Sequence, residues 1–162
     1  MEMLRNLSSL RQIQLALEYR GYQVRQPQDG QLLVTPPGQQ QLQFRLCYLD
    51  QLLSGSQNQL LELQMPLGLR PDAEQKRALA SVLAALSGSL GGQSGCGGMA
   101  LVFGPEGLAL RTCWLHPRQL PDLRSLLQQI KNVIRAWFLT YSLLAPYVMG
   151  QLSIRQLRAR LS

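Results

Sequence analysis

Residues 121–144 read PDLRSLLQQIKNVIRAWFLTYSLL, and the spacing of their apolar residues decides the predicted fold. The main apolar positions alternate gaps of four and three, namely Leu123, Leu127, Ile130, Ile134, Trp137, Tyr141 and Leu144. Residues three or four apart lie on one face of an α-helix. Leu126 and Val133 widen this stripe on one flank, and Phe138 widens it on the other. The stretch therefore predicts a helix, closed by Pro146 and Gly150, whose apolar face is buried against its own domain or a partner.

Upstream of this helix, short stretches alternate apolar and polar residues, as strands with one wet face do. The clearest is residues 42–48, where Leu42, Phe44, Leu46 and Tyr48 share one face. Strands are predicted at 22–25, 31–35, 42–48, 61–65, 99–103 and 108–115, and further helices at about 8–20 and after Pro71. We therefore predict one α+β domain over residues 1–146, with an antiparallel sheet of five to six strands and three helices in the order α-β-β-β-α-β-β-α. Residues 147–162 are predicted to form a basic amphipathic tail.

Several local stretches, together with this order of elements, resemble the YbjN-like family and the wider type III secretion chaperone-like fold. They are LEYRGY at 17–22, the Asp29-Gly30 turn, MPLG at 65–68, the GPEG turn at 104–107 and the long last helix. The resemblance covers about residues 7–145. It implies a non-enzymatic, often dimeric domain whose sheet and first helix bind an extended or helical segment of a partner.

The net charge of +7 is concentrated at the C-terminal end of the chain. Residues 1–117 contain nine Lys+Arg and eight Asp+Glu, whereas residues 118–162 contain seven and one. In the tail, Arg155, Arg158 and Arg160 are interleaved with four apolar residues: Leu152, Ile154, Leu157 and Leu161. Such a basic amphipathic helix binds nucleic acid, an anionic membrane surface or an acidic protein, or packs its leucines on its own domain. Nucleic acid and an anionic membrane surface rank below a protein partner. Against nucleic acid, no aromatic platform accompanies the tail arginines, as single-strand binders usually show.

Motifs for catalysis, cofactors or metal binding are not evident. The glycine-rich run at 87–98 has no lysine and precedes a strand, so it predicts a flexible linker and not a phosphate loop. Cys47, Cys96, Cys113 and His116 offer only one close ligand pair, whereas structural zinc sites usually use two. The carboxylates are scattered through turns and helix starts. We therefore predict no catalytic, cofactor-binding or metal-binding residue, and a protein that is not an enzyme.

The cysteine pattern and the N-terminus favour a cytoplasmic protein. Three cysteines without a CxxC pair are typical of a reducing compartment, and residues 1–5 show no secretory signal. The uncharged run at 136–154 approaches the length of a membrane span. It is interrupted by polar residues, proline and glycine, so we do not predict a span.

The sequence predicts a protein-binding module, chaperone-like or regulatory, that forms a homodimer and holds a protein or peptide segment. Residues expected to contact a partner are Trp137 and Tyr141 on the long helix and Arg155, Arg158 and Arg160 in the tail. The alternative is a peripheral membrane or nucleic-acid adaptor that acts through the basic tail.

Overall fold

The computed structural model describes residues 2–28, 30–49, 58–82, 85–86, 99–117 and 123–161. The helices are α1 (Glu2–Tyr19), α2 (Ala73–Ala80), α3 (Leu123–Val148) and α4 (Ile154–Leu161). The strands are β1 (Gln23–Arg25), β2 (Gln31–Thr35), β3 (Phe44–Leu49), β4 (Asn58–Pro66), β5 (Ala100–Gly104) and β6 (Gly107–Pro117). The predicted glycine-rich linker at 87–98 lies outside the described residues.

The strands form one six-stranded antiparallel sheet in the order β1-β2-β3-β4-β6-β5. The predicted α+β class and the upper strand count are thus confirmed. The predicted count of three helices is wrong, because α1 to α4 make four helices within the described residues. The additional helix is α4, in the segment that was predicted as a basic amphipathic tail and was not counted among the three helices.

The chain divides into two compact units, of which the first comprises residues 1–65 and 113–128. In this unit α1 packs against β1 and β2. The helix ends at Tyr19, two residues before Gly21, where φ is 86°. The Tyr22 N–H donates to the Leu17 carbonyl over 3.0 Å. Only glycine adopts this left-handed conformation without strain, so Gly21 terminates the predicted first helix close to the expected residue 20.

The alternation of β3 and β4 accounts for the core of the first unit. Phe44, Leu46, Leu61 and Leu63 are each 0% exposed, while the residues between them are half-buried or exposed. In the register of these strands Leu46 lies opposite Leu63. Side chains of successive strand residues point to opposite faces, so one sheet face carries the core and the other carries the polar residues.

The second unit comprises residues 66–112 and 129–162, and α2 begins within it. The Asp72 carboxylate accepts a 2.8 Å hydrogen bond from the Gln75 N–H, and the Gln75 side chain accepts a 3.0 Å bond from the Asp72 N–H. This reciprocal capping box fixes the start of the helix at Ala73. Leu79, Val82 and Leu86 are buried.

Helix α3 continues past the proline that was expected to end it. Pro146 lies inside the helix, which runs to Val148. A proline lacks an N–H, so the carbonyl four residues earlier loses its helical donor, and α3 ends two residues after Pro146. The carbonyls of the last turn need donors from outside the helix. The Gln75 side-chain amide supplies one, donating to the Tyr147 and Val148 carbonyls over 3.3 and 3.1 Å.

The buried face of α3 is rotated from the predicted stripe. The buried side chains are Leu126, Ile130, Val133, Ala136, Thr140, Leu144, Ala145 and Tyr147. Of the predicted stripe only Ile130 and Leu144 are buried, and Leu123, Leu127, Ile134, Trp137 and Tyr141 are half-buried. The flank expected at Leu126 and Val133 is therefore part of the buried face. The predicted stripe becomes its border with solvent.

Residues 136–154 are not one continuous helix, because α3 ends at Val148 and α4 begins at Ile154. Within the described ranges, no helix combines the length and the apolar character that crossing a membrane requires.

Candidate functional site

Three aromatic side chains form a cluster on α3, which we call the aromatic cluster: Trp137, Phe138 and Tyr141. The Trp137 and Tyr141 rings are stacked, with centroids 5.0 Å apart and planes within 10°. Phe138 meets Trp137 edge to face at 5.1 Å and 86°. Both arrangements are favoured geometries for aromatic pairs. The helix thus orders its two predicted contact residues, Trp137 and Tyr141, side by side.

The aromatic cluster is anchored at its polar end. The Trp137 indole N–H donates a 2.9 Å hydrogen bond to the Pro66 carbonyl. The ring is therefore fixed both by this bond and by its stack on Tyr141. Phe138 is 43% exposed and is one of the few large apolar side chains that the described residues leave open to solvent. The sequence pattern places Phe138 on one flank of the predicted stripe, and the structure places it outside the buried face.

Two cations border the aromatic cluster on its solvent side. Lys131 and Arg135 are exposed, one turn apart on α3, and Arg135 lies three residues before Phe138. Helix α3 contains no acidic residue. The second unit as a whole carries nine Lys+Arg against three Asp+Glu, a net charge of +6. An anionic group near the aromatic cluster therefore meets a positive field.

The three predicted tail arginines lie on α4, which is held in place by one buried side chain. Leu157 is 0% exposed, whereas Arg155, Arg158 and Arg160 are exposed. Arg158 donates a 2.7 Å hydrogen bond to the Ser81 hydroxyl. Residues three apart share a helix face but residues two apart do not, so Arg160 is not on the face of Arg155 and Arg158. The structure does not combine the three arginines into one contact.

The start of α4 is a second capping box that the sequence signals. The Gln156 N–H donates to the Ser153 hydroxyl over 3.2 Å, and the Ser153 N–H donates to the Gln156 side chain over 2.8 Å. The pattern Ser-x-x-Gln at 153–156 is the signature of such a start.

A row of two thiols and a carboxylate crosses the polar face of the sheet in the first unit. Cys47 lies opposite Glu62 in the β3–β4 register, with Sγ 4.0 Å from Glu62 Oε1. The Cys113 Sγ lies 3.8 Å from Glu62 Oε2. Within the described part of the chain, no group of three or more His, Cys, Asp or Glu residues could hold a metal ion. Cys96 and the His116 side chain lie outside that part.

Two tyrosines have a raised pKa. Burial raises the pKa of Tyr22 above 10.0, and the charge of Arg20 partly opposes this shift. Burial also raises the pKa of Tyr147, and the negative charges of Asp72 and Glu74 add to the shift. Both phenols therefore stay protonated at neutral pH and supply no base there.

Comparisons with known proteins return no match: no protein-family model, curated protein or solved structure is significantly similar to this chain. The chaperone-like fold, the homodimer and the non-enzymatic character thus stay predictions. Function is therefore inferred from the geometry of the second unit.

Proposed function

We propose that this protein is a protein-binding module, chaperone-like or regulatory, that holds a segment of a partner on the aromatic cluster. One observation supports this function above the others. An ordered stack of Trp137 and Tyr141 adjoins the exposed ring of Phe138 on a single helix face.

The proposal has a physical basis in the energetics of protein interfaces. Binding energy concentrates in a few tryptophan, tyrosine and arginine side chains, and is reduced by the cost of ordering them on binding. In the aromatic cluster this cost is already met, because Trp137 is fixed by Pro66 and Tyr141 by the stack. Phe138 has the largest exposed fraction of the three cluster side chains and is open to a partner.

The test is a selection of peptides from a random phage-displayed library on the full chain. We expect enriched peptides to lose binding to a Phe138→Ser variant and to retain it with Met149→Ser. Met149 is a suitable control because it is 60% exposed, apolar and next to the end of the same helix. Enriched peptides that bind both variants equally, or no enrichment at all, would contradict the proposal.

The second candidate is an adaptor for an anionic membrane or nucleic acid, favoured by the exposed arginines of α4. Removing residues 151–162 is a poor test, because it also removes the buried side chain of Leu157. The double variant Arg155→Glu/Arg160→Glu changes the charge and leaves Leu157 and the bond from Arg158 to Ser81 in place. Salt-sensitive binding to phosphatidylserine vesicles or DNA that this variant abolishes would support the adaptor. Unchanged binding, or none by the wild type, would contradict it.

The proposed module includes a homodimer, and the edge strands of the sheet suggest where it forms. β5 reads ALVFG without a charge or proline, and Phe103 is 38% exposed. β1 at the other edge has only three residues, including Arg25. Uncharged edge strands pair readily with other strands, whereas short or charged ones resist pairing.

Two matched valines test this dimer. Val102 and Val24 are the central, half-buried residues of β5 and β1. In sedimentation velocity we expect a wild-type dimer, a monomer for Val102→Lys and a dimer for Val24→Lys. A wild-type monomer, or a Val102→Lys dimer, would contradict pairing through β5.

A further inference from the structure

The partner segment can be defined more closely from the surroundings of the aromatic cluster. We infer that the cluster binds an acidic amphipathic helix, with apolar side chains over Phe138 and carboxylates against Lys131 and Arg135. This inference rests on the proposed function and specifies the chemistry of its ligand.

The charge of the surface favours an acidic occupant. Lys131, Arg135 and Phe138 lie at helical spacings of four and three, so the two cations and the exposed ring form one row. A second copy of this chain would bring its own Lys131 and Arg135 to the same contact. An acidic segment instead offers opposite charge, which speeds association and excludes cationic competitors.

The backbone geometry favours a helix over an extended segment. An extended peptide gains affinity by hydrogen bonding to an exposed sheet edge. α3 offers no such edge, because its backbone N–H and C=O groups bond within the helix. A helical partner satisfies its own backbone and presents apolar anchors at i, i+3, i+4 and i+7. Ile134 to Tyr141 are eight residues, separated by seven helical steps or about 10 Å along the helix, which matches two turns of such a partner.

A membrane surface fits the same chemistry less well. Helices that lie in a membrane interface insert several apolar side chains below the headgroups. Here the Trp137 ring is held by its bond to Pro66 and by its stack on Tyr141, so Phe138 is the only cluster residue classed as exposed. A rigid, shallow cluster suits a shape-complementary protein contact.

The experiment uses two designed helical peptides with the same leucines at i, i+3, i+4 and i+7. One carries glutamates at the remaining positions and the other carries lysines. Fluorescence anisotropy measures the binding of each to the full-length wild type. Exposed ion pairs are individually weak, so two of them predict roughly fivefold tighter binding of the glutamate peptide at low salt. The difference should shrink as salt is added.

Two pairs of variants separate the contributions of charge and apolar contact. Lys131→Glu/Arg135→Glu should reverse the order of affinity, so that the lysine peptide binds more tightly than the glutamate peptide. Arg155→Glu/Arg160→Glu, with the same change in net charge on exposed sites of α4, should keep it. Phe138→Ser should weaken both peptides about tenfold, while Met149→Ser should weaken neither. Circular dichroism of each variant confirms that the fold is retained.

The outcomes that overturn the inference differ from those that overturn the proposed function. The inference of an acidic partner is wrong if the two peptides bind with equal affinity. It is also wrong if Lys131→Glu/Arg135→Glu leaves their order of affinity unchanged. Loss of binding in Phe138→Ser would then still support a protein-binding cluster. If neither peptide depends on Phe138, the proposed function is wrong as well. Binding of phosphatidylserine vesicles through Phe138, with no peptide bound, would replace both with a membrane surface.

Discussion

The two compact units of this chain differ in where their charge lies and in what they expose. The first unit has seven Lys+Arg and six Asp+Glu, and the second has nine and three. Exposed large hydrophobic residues of the first unit, Leu15 and Tyr19, lie on α1. In the second unit Phe138 is packed with other aromatic rings beside two cations. Charge and ordered aromatic surface thus coincide in one unit, which is why binding is proposed there.

The same substitution in each unit should test this contrast most strongly. Phe44 in the first unit is 0% exposed and Phe138 in the second is 43% exposed. We expect Phe44→Ala to lower the free energy of unfolding by about 3–5 kcal/mol, because it leaves a cavity in the core. Phe138→Ala should cost about 1 kcal/mol or less, since water already reaches the ring. Urea unfolding measures both, and similar losses would contradict the division between core and contact surface.

The next largest effect concerns α4, the helix in the segment that was predicted as a basic amphipathic tail. Leu157→Ala should lower the free energy of unfolding by about 3 kcal/mol, because a fully buried leucine is truncated. Leu152→Ala, at a half-buried position just before the helix, is the control and should cost about 1 kcal/mol. If Leu157→Ala behaves like the control, α4 does not belong to the folded second unit.

Glycines with positive φ give a smaller contrast between the units. Gly107 has φ of 111°, and an added Cβ would clash with the Leu69 carbonyl oxygen. Gly21 has φ of 86°, and its Cβ would make only an ordinary 3.7 Å contact with Pro37. Gly21→Ala should therefore cost about 1 kcal/mol of conformational strain, and Gly107→Ala about 2–3 kcal/mol. Equal losses of unfolding free energy in urea would show that the chain around Gly107 shifts to accommodate the added Cβ without a further loss of stability.

The smallest effect is a dependence of stability on alkaline pH. Tyr22 and Tyr147 have a raised pKa in the folded protein, so folding favours their protonated form. This contribution to stability is fully present below the unfolded pKa of 10.0 and is lost as the pH rises through the folded pKa. Asp72 and Glu74 add to the shift of Tyr147, whereas Arg20 opposes that of Tyr22. Tyr147→Phe and Tyr22→Phe should therefore each flatten the alkaline fall in the urea midpoint, and a fall that neither variant changes would contradict this linkage.

The sequence predicts the first unit better than the second, for a physical reason. In β3 and β4 the period of two is unambiguous, since Phe44, Leu46, Leu61 and Leu63 alternate with polar or less apolar residues. On α3 more than half of the residues are apolar, so more than one face fits a helical period. The structure buries Thr140, whose hydroxyl donates to the Ala136 carbonyl over 2.7 Å. A polar residue satisfied within its own helix is invisible to a hydrophobic pattern.

The functional surface is predictable from sequence only in part. The size and position of Trp137 and Tyr141 single them out, but their stack and the bond from Trp137 to Pro66 depend on tertiary structure. The hydrophobic pattern predicts a buried face of α3 that is rotated from the observed one. It therefore places Phe138 on the flank of the buried face, whereas the structure exposes it. The three arginines were grouped because they are close in sequence, but a helix distributes residues so spaced over different faces.

The side chain of Gln75 has a consequence for how the second unit opens. Its amide oxygen accepts from the Asp72 N–H at the start of α2, and its amide nitrogen donates to the Tyr147 and Val148 carbonyls at the end of α3. One amide group thus serves the termini of two helices that are more than 70 residues apart in sequence. Fraying of either terminus removes a partner from the other, so the two should exchange their amide hydrogens as a single cooperative group.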